Sequence, residues 1–71
     1  MNPSKKIRLA ILEQHISGND NDIYALSIKA RVAEKIGDKE SKKQAVEALE
    51  KCEKIADEYL AIKSEIDAEI E

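Results

Sequence analysis

From Lys39 to the C-terminus, apolar residues recur at the spacing of an α-helix. At about 100° per residue, Ala45, Leu49, Cys52, Ala56, Tyr59, Leu60, Ile66 and Ile70 fall on one face. Ile55 and Ile62 widen that stripe, while Glu47, Glu50, Lys54, Asp57, Glu58 and Glu65 lie away from it. Glu47 with Lys51 and Glu50 with Lys54 stand four apart, acid first, the order that supports a helix by roughly 0.2–0.5 kcal/mol per pair. The pattern predicts one long amphipathic helix over residues 39–70, capped at its start by Asp38 or Ser41.

The first half of the chain has a different pattern, with two apolar seams instead of one. Ile7 and Ile11 share one side, and Leu9, Leu12 and Ile16 another. Further on, Ile23, Leu26, Ala30 and Ala33 form one seam, and Ala25, Ile28, Val32 and Ile36 a second. A surface helix carries one stripe, so two stripes predict neighbours on two sides. Gly18 followed by Asn19-Asp20-Asn21-Asp22 reads as a helix stop and a turn, and Gly37 as a second stop. Asn2 is placed to cap the first helix, with Pro3 at its first position.

The expected fold is therefore all-α: a single domain spanning residues 1–71, with helices at 3–17, 23–36 and 39–70. Two layouts fit. In a broken-arm helical hairpin, the two short helices lie end to end along the long one, whose length at ~1.5 Å per residue is about 48 Å. In a three-helix bundle, the second half of the long helix projects. Either layout leaves seams for a second copy, predicting a homo-oligomer, a dimer above all. Leu12, Ile16, Ile28, Val32, Ile62 and Ile66 are the candidate interface residues. Paired hairpins resemble dimeric helical bundles of the Rop type in architecture.

Size strengthens the case for association. With 71 residues, the chain buries only about 60% of the surface it exposes when unfolded, and such cores rarely supply more than ~3–5 kcal/mol without a staple. Cys52 is the sole cysteine, so no intrachain disulfide helps, and a lone thiol fits a reducing compartment. The 42% of hydrophobic residues is too high for a disordered chain. After Lys5, Lys6 and Arg8 the apolar run is only Leu9-Ala10-Ile11-Leu12, too short for a secretion signal or a membrane span. The expectation is a cytoplasmic protein with no membrane role. Lys5, Lys6 and Arg8 at a helix N-terminus, and Glu65, Asp67, Glu69 and Glu71 at a helix C-terminus, each oppose the local dipole. In a hairpin the two clusters would meet and compensate.

Side chains for chemistry are sparse. Counting a calcium loop from Asp20 puts Ala25 at position six and Arg31 at twelve, where glycine and a bidentate glutamate are needed. His15 and Cys52 alone cannot complete a zinc site. One His and one core Cys do not assemble a nucleophile, base and orienter. Both glycines are isolated, so no phosphate loop exists. The reading is non-enzymatic, with no metal and no cofactor. Lys63 projects near the middle of the long helix's apolar stripe; snorkelling, or a pair with Asp67, accounts for it, and setting register in an oligomeric seam is the alternative.

The stretch Ala25 to Gly37 reads as the first helix and turn of a helix-turn-helix. Together with Ile11-Leu12 and Ile16-Ser17-Gly18, it is similar to winged-helix regulators of the GntR type. That resemblance implies a DNA-reading helix carrying Lys39, Lys42, Lys43 and Gln44. It departs from the pattern at Asp38 and Lys43, where apolar residues belong, and no wing follows. The net charge of −3 weighs against nonspecific nucleic-acid binding. The leading expectation is a small helical interaction module that self-associates and binds a protein partner as an inhibitor, adaptor or regulator. The alternative is a DNA-binding regulator with a coiled-coil dimerisation helix.

Overall fold

The computed structural model describes residues 3–70. Two helices, α1 (Lys5–Ile36) and α2 (Lys39–Asp67), pack side by side and antiparallel as a rod of 54 × 16 × 15 Å. The hairpin expectation holds, but its first arm is unbroken, and the three-helix bundle is excluded. Residues 18–22, expected as a turn, are helical throughout.

The physical reason lies in the phase of the inner seam. Leu9, Leu12, Ile16, Asn19, Ile23, Leu26, Ala30 and Ala33 are all buried or half-buried, and their spacing alternates strictly between three and four. A turn at 18–22 would reset that phase; the chain keeps it. Asn and Asp each disfavour a helix interior by roughly 0.7 kcal/mol or less, and Gly by about 1. Keeping the three apolar residues before that stretch and the four after it in register with α2 outweighs this cost. Within the stretch, Asn19 carries the seam across: it is buried, and its Nδ2 donates to the Cys52 carbonyl of α2 at 3.0 Å.

Caps set the ends. Ser4, rather than Asn2, caps α1, its Oγ accepting from the Ile7 N–H at 3.3 Å; Asn2 lies outside the described residues, and Pro3 precedes the cap. At the turn, Gly37 takes a left-handed φ of 76°, a conformation glycine adopts without a Cβ clash. Its N–H donates to Glu34 O and that of Asp38 to Ala33 O, at 3.3 and 2.9 Å, closing α1 in a Schellman motif. Asp38 then caps α2, accepting from both the backbone N–H and the hydroxyl of Ser41, at 3.0 and 2.7 Å. Those two hydrogen bonds hold its carboxyl below the ordinary range. At the far end α2 closes at Asp67, short of the expected residue 70, and Ile70 is fully exposed.

The core of this rod is thin. Among the described residues, Leu12, Ala33, Ala45 and Ile66 are the buried apolar ones, and no large side chain is fully enclosed. Two helices offer each other one face apiece, so most of the surface of each stays in water.

Candidate interaction surface

Each helix has an inner face against its neighbour and an outer face against solvent, and the two outer faces differ in chemistry. On α2, Lys43, Glu47, Glu50, Lys54, Asp57 and Ser64 point outward and are exposed and polar; Ala61 shares that face, and Val46 and Leu60 elsewhere on α2 are also exposed. On α1, the outer face carries Ile7, Ile11, Ile28 and Val32, which remain 53%, 46%, 48% and 53% exposed. Between these apolar pairs lie Gln14, Gly18, Asn21 and Ala25, also exposed. Gly18 is helical, and a Cβ built on it would meet nothing within 4 Å. No packing inside the hairpin calls for a glycine there.

The residues singled out from sequence divide between the two faces. Leu12 and Ile66 are buried, and Ile16 and Ile62 half-buried, along the seam between α1 and α2; Ile28 and Val32 stand on the exposed outer face of α1. Near the turn, an open cleft of about 500 Å³ runs between the helices. Leu26, Val32, Ala33, Ile36, Ala45 and Ala48 form its apolar walls, with Lys29, Asp38 and Gln44 among its polar lining. Small residues on both helices at this end leave the cleft unfilled.

Lys39, Lys42, Lys43 and Gln44 are exposed on the first two turns of α2. Lys42 pairs with Glu34 across the turn, and the Gln44 side chain reaches Glu40 at 3.4 Å. Glu34, Glu47 and Glu50 share the shallow surface that holds the three lysines, so that patch is mixed in sign. The turn also folds α2 straight back along α1, whereas a helix-turn-helix crosses its helices at about 90–120°.

The open end of the hairpin is an electrostatic clasp. Arg8 makes a two-pronged pair with Glu69, Nη1 to Oε2 at 2.7 Å and Nη2 to Oε1 at 2.6 Å, and its Nε donates to the Pro3 carbonyl. The Lys5 ammonium donates to the Asp67 and Glu69 carbonyls at 3.3 and 3.2 Å. Cations unfavourable for the start of α1 therefore sit where the end of α2 favours them. Hydrogen bonding from Arg8 holds the Glu69 carboxyl below its usual range and raises the Arg8 guanidinium. The two charge clusters meet within one chain, as a hairpin requires; Glu71 lies outside the described residues.

Lys63 reaches Glu13 on α1 at 3.4 Å rather than Asp67 on its own helix. Cys52 is half-buried on the inner seam, and the His15 ring lies 6.0 Å from that of Tyr59. Among the described residues, no three His, Cys, Asp or Glu side chains gather as a metal site, and no helix is long and apolar enough to cross a membrane. Sequence reasoning missed Asn19 as the polar link between the helices. The unbroken alternation of threes and fours through residues 9–33 was the available signal. Comparison with protein families, curated proteins and solved structures finds no match to this chain.

Proposed function

We propose that this protein is a small, non-catalytic helical interaction module that self-associates and engages a macromolecular partner as an inhibitor, adaptor or regulator. The observation that carries this reading is the outer face of α1. Four large aliphatic side chains, each about half exposed, lie on one side of α1, while the corresponding side of α2 is mainly charged, with Ala61 its apolar residue. Scattered exposed apolar residues are ordinary; here two pairs repeat on one face of one helix with small and polar residues between them, and that order supports a contact surface. The thin core points the same way. A two-helix rod gains by covering a second face, because about 25 cal/mol is recovered per Å² of apolar surface removed from water.

Sedimentation equilibrium across the micromolar range tests the reading. The expected result is a reversible assembly of two or more chains, shifted toward monomer by Val32→Asp with helical content retained, since a carboxylate in a covered apolar contact is costly. A stable 8.0 kDa monomer throughout that range would overturn it.

A further inference from the structure

We propose that the occupant of the outer face of α1 is α1 of a second copy, packed antiparallel about a two-fold axis. This rests on the self-association proposed above and specifies its geometry. The exposed positions 7, 11, 14, 18, 21, 25, 28 and 32 alternate in steps of four and three, the spacing that keeps one face toward a partner helix. Their order is self-complementary. In an antiparallel register whose facing residue numbers sum to 39, Ile7 faces Val32 of the second copy and Ile11 faces its Ile28. Gln14 faces Ala25, and Gly18 faces Asn21. Every large aliphatic residue meets another, and each central polar residue meets a small one. A two-fold interface demands this symmetry, because each contact must occur twice.

Two further observations support the register. Gly18 stands mid-helix with open space around it, a position where glycine weakens a helix unless another backbone approaches closely. The proposed two-fold axis passes beside it, between residues 19 and 20, and leaves room there for the Asn21 side chain. On one flank of the same face, where facing numbers sum to 37, His15, whose ring also lies 6.0 Å from that of Tyr59 in its own chain, comes opposite Asp22 of the second copy. Arg8 comes opposite Lys29, and its charge is already matched by Glu69 in its own chain. The polar outer face of α2 stays in water, so the assembly closes as a dimer with α2 outermost on both sides. Residues 7–32 cover about 39 Å of helix at a width near 10–12 Å. That strip gives on the order of 900 Å² in total, close to the ~1,000 Å² a specific interface requires, and predicts a dimer that dissociates on dilution.

A charge-swap experiment on the full chain separates the possibilities. Ile11→Glu and Ile28→Lys each place a charge against an apolar residue of the second copy. Each alone should weaken dimerisation at least tenfold by sedimentation equilibrium, with circular dichroism showing the helices retained. Combined in one chain, they set opposite charges facing each other twice, and the antiparallel register predicts recovery of most of the lost affinity. Single variants that break the dimer without recovery in the double variant would refute this register while leaving self-association standing. Single variants without effect on a wild-type dimer would refute the outer face as its interface. A wild-type monomer at all concentrations would remove this inference and the self-association it rests on together.

Discussion

α1 and α2 are nearly equal in length and share one seam, yet the faces they turn to solvent differ: that of α1 carries two pairs of large aliphatic side chains, that of α2 mainly charged ones. The apolar stripe of α2 turns toward α1, and its opposite side carries lysines, glutamates and aspartate into water. α1 presents the same kind of inner stripe and then a second one on its far side. An amphipathic helix has its apolar surface satisfied by one neighbour; a helix apolar on two opposite sides needs two. The contrast is sharpest at Ile7, Ile11, Ile28 and Val32, and it is there that the proposed self-association places its contact.

Breaking the inner seam should have the largest effect. Leu12 is 7% exposed, and truncating such a residue typically costs about 2–5 kcal/mol, comparable to the whole stability of a core this size. Leu12→Ala is expected to abolish the cooperative unfolding transition in urea, read by circular dichroism. Outer-face substitutions differ in kind: they leave the hairpin formed and alter the dependence of its melting on protein concentration. If Leu12→Ala and Val32→Asp gave the same loss of helix on dilution, the two faces would not be distinct in role.

Much of this organisation was legible in the sequence, and the part that was not is instructive. Two seams in the first half, the stop at Gly37 and a cap at Asp38 or Ser41 follow from local chemistry; the structure buries one seam against α2, stops α1 at Gly37 and takes Asp38 as the cap. The continuity of α1 did not follow from local chemistry. Gly18 and four consecutive Asn and Asp residues each favour a turn, and the argument that overrides them is non-local. Only the position of Ile23 and Leu26 in the same phase as Leu12 and Ile16 reveals that one helix spans both. Asn19 was hidden for the same reason, since an amide at a seam position becomes a register link only once a facing carbonyl exists. The Glu13 and Lys63 pair likewise depends on how the two helices slide against one another.

Adjacent residues on opposite sides of α1 sharpen the comparison at a smaller scale. Asn19 looks inward and Gly18 outward. Asn19→Leu should stabilise the monomeric hairpin by roughly 1 kcal/mol, because apolar seam residues are usually more stable than polar ones, which specify register at a cost. Gly18→Ala should also stabilise the isolated hairpin, by about 0.5–1 kcal/mol. Their effects on association should then diverge. Asn19→Leu leaves the dimer constant unchanged, whereas the added methyl of Gly18→Ala obstructs the approach of the second copy and weakens it. Chemical denaturation at low concentration and sedimentation equilibrium on the same samples check both signs. A Gly18→Ala variant that gained in stability and in association alike would show that no backbone comes close at that point.

Acidification should produce the mildest change, confined to the open end of the rod. Glu69 has its folded-state pKa depressed, chiefly by the hydrogen bonds from Arg8, which outweigh the opposing effect of desolvation, with lesser help from the charges of Arg8 and Lys5. A depressed carboxyl pKa contributes stability that is fully present above the unfolded value and is lost as pH falls through the folded one. Arg8 stays charged throughout, so the loss belongs to protonation of Glu69: it begins as pH enters the ordinary carboxylate range and is complete only below the depressed folded value. Asp38 shifts in the same direction from its own caps, so acid loosens the turn end as well. The two contributions separate by substitution. Glu69→Gln should flatten the acid response of amide hydrogen exchange near Lys5–Leu9 while leaving the response near Ser41 in place. Because Glu69 is exposed and Arg8 half-buried, water and ions reach the pair, and raising the salt concentration at neutral pH should mimic part of the loss at the open end. Exchange at Lys5–Leu9 that accelerated in acid equally in the wild type and in Glu69→Gln would show that the clasp does not hold that end closed.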